Sequence, residues 1–168
     1  MNEFIELSRA HTSDASLLSK IRFEAILALA FSAYGKAGAQ KWAESASDGR
    51  VLKAIENHEV WVATDGEQAI GWIEIHENTV LGLYVDPKAA GSGVGVTLLL
   101  RAEDRISSTG YSTVQLDASL NAEEFYVRHG YQLLSERTPD SGLPMEKKLE
   151  AASSTVGGVD QGAPLVIG

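Results

Sequence analysis

Cysteine is absent from the 168 residues. Disulfides, thiolate metal sites and a cysteine nucleophile are thereby excluded. Basic charge is scarce as well: 14 Lys and Arg stand against 23 Asp and Glu, a formal net charge of -9. Such a surface does not suit nucleic acid, whose phosphates need cationic partners. It would attract amines instead. Long apolar runs are missing too, so no membrane span is expected. The stretch from Ala25 to Ala33 is short and reads as part of an amphipathic helix. The residues from Met1 to His11 have no basic segment leading into an apolar core, so they do not read as a secretion signal. His58-Glu59 and His76-Glu77 open like a zinc-binding His-Glu-x-x-His, but Val62 and Val80 stand where the second histidine belongs. No metal is expected, and the expected location is cytoplasmic.

What is present reads as one α/β domain over residues 1–149, with a Gly-, Ala- and Ser-rich tail over 150–168 that lacks periodic pattern. A short strand is predicted over Phe4 to Leu7. Thr12, Ser13 and Asp14 are capping residues for a helix patterned by Leu17, Leu18, Ile21, Ala25 and Leu29. Gly35 and Gly38 break it, and a second helical stretch runs from Gln40 to Asn57 with an interruption at Asp48-Gly49. The period then changes. Strands are predicted over His58 to Thr64, Ala69 to His76 and Thr79 to Val85, with turns at Asp65-Gly66 and Glu77-Asn78. These make an antiparallel meander. A glycine-rich turn, a helix from Val96 to about Ile106, a strand from Thr113 to Asp117 and a short helix from Ala122 to His129 follow. Tyr131 to Ser135 and Met145 to Leu149 close the sheet.

The turn Ala89-Ala90-Gly91-Ser92-Gly93-Val94-Gly95 joins a strand to a helix. Glycine lets backbone approach a ligand closely. The first N–H groups of a helix lack partners and sit at the positive end of its dipole, which suits a pyrophosphate. A P-loop would need Gly-Lys-Ser/Thr, but Gly95 is followed by Val96-Thr97. The dinucleotide fingerprint would need a glycine at Val96, and its fold opens with this turn rather than with a meander. Asp117 lies at the distance of that fold's ribose-binding acid.

Val85-Asp86-Pro87 followed by Gly91-Ser92-Gly93-Val94-Gly95 and an apolar helix resembles motif A of the GNAT acetyltransferase superfamily. The run Asn121-Ala122-Glu123-Glu124-Phe125-Tyr126-Val127-Arg128-His129-Gly130-Tyr131 resembles its second motif, and Pro144 to Leu149 its closing strand. The resemblance covers Phe4 to Leu149. It implies a mixed, mostly antiparallel central sheet flanked by helices, and an N-acetyltransferase that uses acetyl-CoA as cosubstrate and a small-molecule or peptide amine as acceptor. It implies that backbone groups of Leu83, Tyr84 and Val85 pair with the pantetheine arm. Ala90, Gly91, Ser92, Gly93, Val94, Gly95 and Val96 would hold the pyrophosphate, and Asn121 would touch the arm. Tyr126 would protonate the departing sulfur. The family's motif commonly begins with Arg or Gln, where this chain has Ala90; Lys88 is near enough to compensate in part. Tyr34 and Trp42 fall in the region that lines the family's acceptor pocket. A thioester needs no covalent enzyme intermediate, so the lack of cysteine agrees with direct transfer. A strand N–H near Val85 would stabilise the oxyanion.

The proton acceptor comes from strand alternation. Ile70, Trp72, Glu74 and His76 should share one face, and a two-residue turn at Glu77-Asn78 would set Glu74 opposite Leu81, on the face of Val85. Glu74 is thus the expected general base, with His76 one pleat further. A solvated Glu74 is the alternative. Trp61 reads as core, and His11 and His58 as surface. The competing functional expectation is a non-catalytic module that binds or senses acyl-CoA. The acceptor's identity stays open, as does a homodimer.

Overall fold

The computed structural model of the chain describes residues 4–29, 31–44, 48–135 and 142–150. The predicted tail and most of the Pro139-Asp140-Ser141-Gly142 loop lie outside the described residues. The chain begins with β1 (Glu6–Arg9), two residues later than the sequence pattern suggested. A single 3-10 turn at Thr12–Asp14 follows, and the Asp14 carboxylate accepts a hydrogen bond from the His11 backbone at 2.8 Å. This caps α1 (Ala15–Leu29). Next come α2 (Phe31–Glu44), kinked at Gly35, and α3 (Asp48–Asn57). The meander is β2 (Glu59–Thr64), β3 (Ala69–His76) and β4 (Thr79–Val85). Then follow α4 (Val94–Ser108), β5 (Thr113–Ala118), α5 (Glu123–Arg128), β6 (Gln132–Leu133) and β7 (Leu143–Lys148).

The seven strands form one sheet in the order β1-β2-β3-β4-β5-β7-β6. Every pairing is antiparallel except β4 with β5. The mixed, mostly antiparallel architecture is the one expected. Crossover through α4 forces the parallel pair, because a parallel neighbour cannot be reached by a tight turn.

Each face of the sheet buries its own core. On one side Ile73, Ile75, Val114, Leu116 and Met145 pack with Leu98, Leu99, Ala102 and Ile106 of α4. On the other, Val60, Val62 and Trp72 pack with Leu18 and Ile21 of α1 and Val51 of α3. Each such side chain, when fully buried, stabilises the fold by roughly 1.5–3 kcal/mol. Trp72 is completely buried and its indole N–H donates to the Leu18 carbonyl at 2.9 Å, which pins α1 to β3. Helix α4 packs tightly on β3 at Gly71, where an added Cβ would meet Val94 at 2.8 Å. That contact sets the start of α4 directly beside the end of β4.

Two register shifts decide which side chains reach which core. Ile70 is skipped between the pairs Thr64–Ala69 and Ala63–Gly71, so it joins the α4 core rather than sharing a face with Trp72. Leu81 is skipped between Ile75–Val80 and Glu74–Gly82. Simple alternation misses both, because a bulge shifts one strand's facing by one residue.

Candidate active site

β4 is paired with β3 along its length, but with β5 only at Thr79–Gln115 and Val80–Leu116. Past Val80 the two strands part, and the second edge of β4 faces a gap. Among the described residues no strand pairs with that edge at Leu83 to Val85, which leaves the kind of edge an extended ligand can pair with. A cavity of about 240 Å³ occupies the gap, walled by Leu83 and Val85 on one side and by Asn121, Phe125 and Tyr126 on the other. Ala25 and Ile26 of α1 complete the lining. A second cavity of about 110 Å³ adjoins it, where Gly82, Tyr84 and Asp117 meet Ser119 and Tyr126.

The first cavity ends at the start of α4. Asp86 accepts from the Lys88 N–H at 2.9 Å and caps a 3-10 turn over Pro87–Ala89. The Ser92 hydroxyl donates to the Ala89 carbonyl and tightens the next turn. Gly93 takes φ 90° and ψ 3°, a left-handed conformation that a side chain would strain. The first bond into the helix comes from the Thr97 N–H to the Gly93 carbonyl at 3.0 Å. The N–H groups of Val94, Gly95 and Val96 precede it, at the positive end of a 15-residue helix. A Cβ on Gly95 would lie 3.5 Å from Phe125 and 3.7 Å from Val85, so its absence keeps the cleft open there. An extended arm ending in phosphates fits this strand edge and helix start together.

Tyr126 is 7% exposed and lines both cavities. Its ring is wedged edge-on between Phe125 and Tyr131, at 5.1 and 5.5 Å. Burial, and then the neighbouring Tyr84, push its phenol well above the ordinary tyrosine range. It is protonated at neutral pH, as any tyrosine near its ordinary value already is. Leu83, Tyr84, Val85, Gly95, Asn121 and Tyr126 thus meet around one cleft, with the turn from Ala90 to Val96 at its end. Asn121 is exposed, and its side-chain oxygen accepts from the Ser119 hydroxyl at 2.8 Å.

Glu74 is placed differently from the expectation. Because Leu81 is skipped, Glu74 pairs with Gly82 and shares a face with Trp72 and Tyr84, while Val85 pairs with Gly71 and points the other way. Nor is Glu74 solvated: its side chain is 2% exposed. One carboxylate oxygen accepts from Arg50 at 3.1 Å and the other meets His58 Nδ1 at 2.7 Å. It lines neither cavity. His76 is exposed and stacks on His58, with ring centroids 4.6 Å apart. Trp61 is half-buried and flanked by the guanidinium groups of Arg9 and Arg101, at 5.9 and 4.7 Å. The side chains of Tyr34 and Trp42 lie outside the described residues.

Three features of the site were not assigned from the sequence. Asp117 lines the smaller cavity, where the sequence suggested it only as a ribose ligand of a rejected fold. Tyr84 lines both cavities, and its ring lies over Gly82. Arg22 lies behind Tyr84, with its Nε–H donating to the Tyr84 hydroxyl at 3.2 Å. Arg22 had a signal: it follows Leu18 by four residues and precedes Ala25 by three, which puts a cation on the apolar stripe of α1.

Comparison with known proteins agrees with this fold. The family model for the acetyltransferase (GNAT) domain matches residues 30–149. The uncharacterized N-acetyltransferase YafP of Escherichia coli K12 is 29% identical over 133 residues, covering 79% of this chain and 85% of its own. Among solved structures, a GCN5-related N-acetyltransferase from Rhodopseudomonas palustris superposes with a TM-score of 0.83 at 24% identity, over 89% of this chain and 99% of that one. The PaiA N-acetyltransferase of Thermoplasma acidophilum, solved in complex with coenzyme A, gives a TM-score of 0.75 at 26% identity, over 86% and 99%.

Proposed function

The chain belongs to the acetyltransferase (GNAT) family, and from that premise we propose that it transfers an acetyl group from acetyl-CoA to an amine by direct attack, with Tyr126 as general acid. One observation carries the reading. The β4 edge left open past Val80 leads to the start of α4 at Gly93, and Tyr126 lines the cleft beside it. Coenzyme A bound to the similar PaiA supports the same ligand here.

The backbone of Leu83, Tyr84 and Val85 pairs with the pantetheine arm. The turn from Ala90 through Gly91, Ser92, Gly93, Val94 and Gly95 to Val96 takes the pyrophosphate on its N–H groups. Asn121 touches the arm from across the cleft. Acetyl-CoA supplies an activated thioester, so forming the C–N bond and breaking the C–S bond need no covalent enzyme intermediate. A strand N–H near Val85 polarises the carbonyl oxygen. Tyr126 gives its proton to the departing sulfur. Asp117, on the lining that Tyr84 and Tyr126 share, receives the proton that the acceptor amine loses. Glu74, with both oxygens engaged, holds α3 against the sheet instead. The reaction is contained within a single domain, residues 1–149.

The test is release of free thiol from acetyl-CoA across a panel of amines. Turnover with at least one amine is expected. Saturable acetyl-CoA binding without thiol release for any amine would instead support a sensing module, a reading that Ala90 favours by leaving the motif without its usual Arg or Gln.

A further inference from the structure

Arg22 is 4% exposed, and among the described residues no carboxylate pairs with it. Its Nη1 is buried without a hydrogen-bond partner. A buried guanidinium without a counter-ion is costly, so its retention asks for a reason. Its one hydrogen bond among the described residues goes to Tyr84, and its guanidinium carbon lies 5.4 Å from that ring's centroid.

Two further contacts hold Tyr84. Its ring packs on Trp72 at 4.8 Å. It also lies over Gly82, where an added Cβ would come within 2.7 Å of the ring and 3.0 Å of the hydroxyl. Gly82 therefore leaves the space in which the ring lies along β4, and both residues line the smaller cavity. The Tyr84 oxygen already accepts from Arg22, so its own hydrogen is available to an acceptor oxygen. A hydroxyl donor backed by a cation favours an anionic oxygen. Asp117 contributes a carboxylate to the same cavity and is its one charged lining residue among those described. The cavity thus carries a polarised donor and a carboxylate, with Tyr126 on the same lining.

We propose that the acceptor is an amino acid, bound with its carboxylate on the Tyr84 hydroxyl and its ammonium at Asp117. This deepens the acetyl-transfer reading and rests on it. Arg22 is a positioning residue: it orients and polarises Tyr84. A simple amine would leave the Tyr84 O–H unpaired, and a polyamine would bring a second cation towards Arg22; either mismatch lowers specificity. The net charge of -9 draws amines to the molecule, whereas this cavity selects among them.

The experiment compares matched sets: alanine, alaninamide and ethylamine; histidine, histidinamide and histamine. Thiol release gives kcat and KM. Calorimetric titration of the same compounds into the protein with coenzyme A gives affinity without turnover. The amino acids should exceed their amides and decarboxylated partners in kcat/KM by about tenfold or more. Tyr84→Phe should lower kcat/KM for the amino acid about tenfold more than for the matching amine, through KM. Arg22→Lys keeps the charge, and should retain part of the preference that Arg22→Met removes. An amine or amide equal to its amino acid would overturn the proposal. So would a Tyr84→Phe loss equal across each set, or acetylation of amines but of no amino acid. Failure of acetyl-CoA to bind, or to release thiol with any amine, would overturn the transfer reading and this proposal with it.

Discussion

Two buried charges lie on the same face of the sheet, in opposite surroundings. Glu74 has a cation or an imidazole on each oxygen, at 3.1 and 2.7 Å. Arg22 has one tyrosine hydroxyl, one buried unpartnered nitrogen and no carboxylate among the described residues. Strand alternation points to Glu74 as the proton acceptor, whereas Arg22 shows only as a cation on the apolar stripe of α1. A buried ion whose partners are complete holds structure together; one left incomplete against a tyrosine that lines a cavity polarises that tyrosine toward a ligand. Glu103 repeats the first case, buried and bonded to the Tyr131 hydroxyl and the Lys147 ammonium at 3.0–3.1 Å.

The largest effect expected on the site side of this contrast comes from Tyr126→Phe. Losing the general acid should cost on the order of a hundredfold in kcat, with acetyl-CoA affinity unchanged. Single-turnover kinetics check it, and normal chemistry would return Tyr126 to a packing role.

Asp117→Asn and Glu74→Gln break the comparison directly. Asp117→Asn should lower the rate near neutral pH by about tenfold to a hundredfold. The loss should shrink as pH rises, because more of the amine is then already neutral. Glu74→Gln should leave the pH–rate profile in place and destabilise the fold by about 1–3 kcal/mol, the cost of buried partners left short of a bond. Urea unfolding and pH–rate profiles on the same two proteins decide between them. A profile altered by Glu74→Gln and untouched by Asp117→Asn would reverse the assignment.

A smaller effect lies on the structural side. Burial pushes the phenols of Tyr126 and Tyr131 upward, and the Glu103 carboxylate adds to this at Tyr131. Unfolded tyrosine ionises near pH ~10. Stability from these residues is therefore complete below that value and falls as pH rises beyond it, since only the unfolded chain then releases the protons. Melting temperatures between pH 8 and pH 11 should show the decline starting near pH ~10, and Tyr126→Phe should make it shallower.

The legible parts of this molecule were those with local chemistry. Glycines after a strand announced the turn at Gly93, and Asp65-Gly66 and Glu77-Asn78 fixed the meander, whose β3 and β4 ends fall on the predicted residues. Tyr126 reaches the cleft on α5, and Asn121 from the 3-10 turn Leu120–Ala122 just before it. What could not be read depends on the skipped residues Ile70 and Leu81. One skipped residue turned Glu74 away from Val85, and neither bulge has a strong local signature. The pairing of Arg22 with Tyr84 spans 62 positions and follows only from how α1 lies on the sheet.

In the proposed reading the open edge of β4 and the start of α4 form one acetyl-CoA site. Calorimetric titration of acetyl-CoA into wild-type and Gly93→Val protein tests it most directly, since φ 90° at Gly93 is a conformation valine resists. With a folded variant confirmed by circular dichroism, saturable binding to wild type and at least about tenfold weaker binding to Gly93→Val is the predicted result. Equal affinity in a folded Gly93→Val protein would contradict the account.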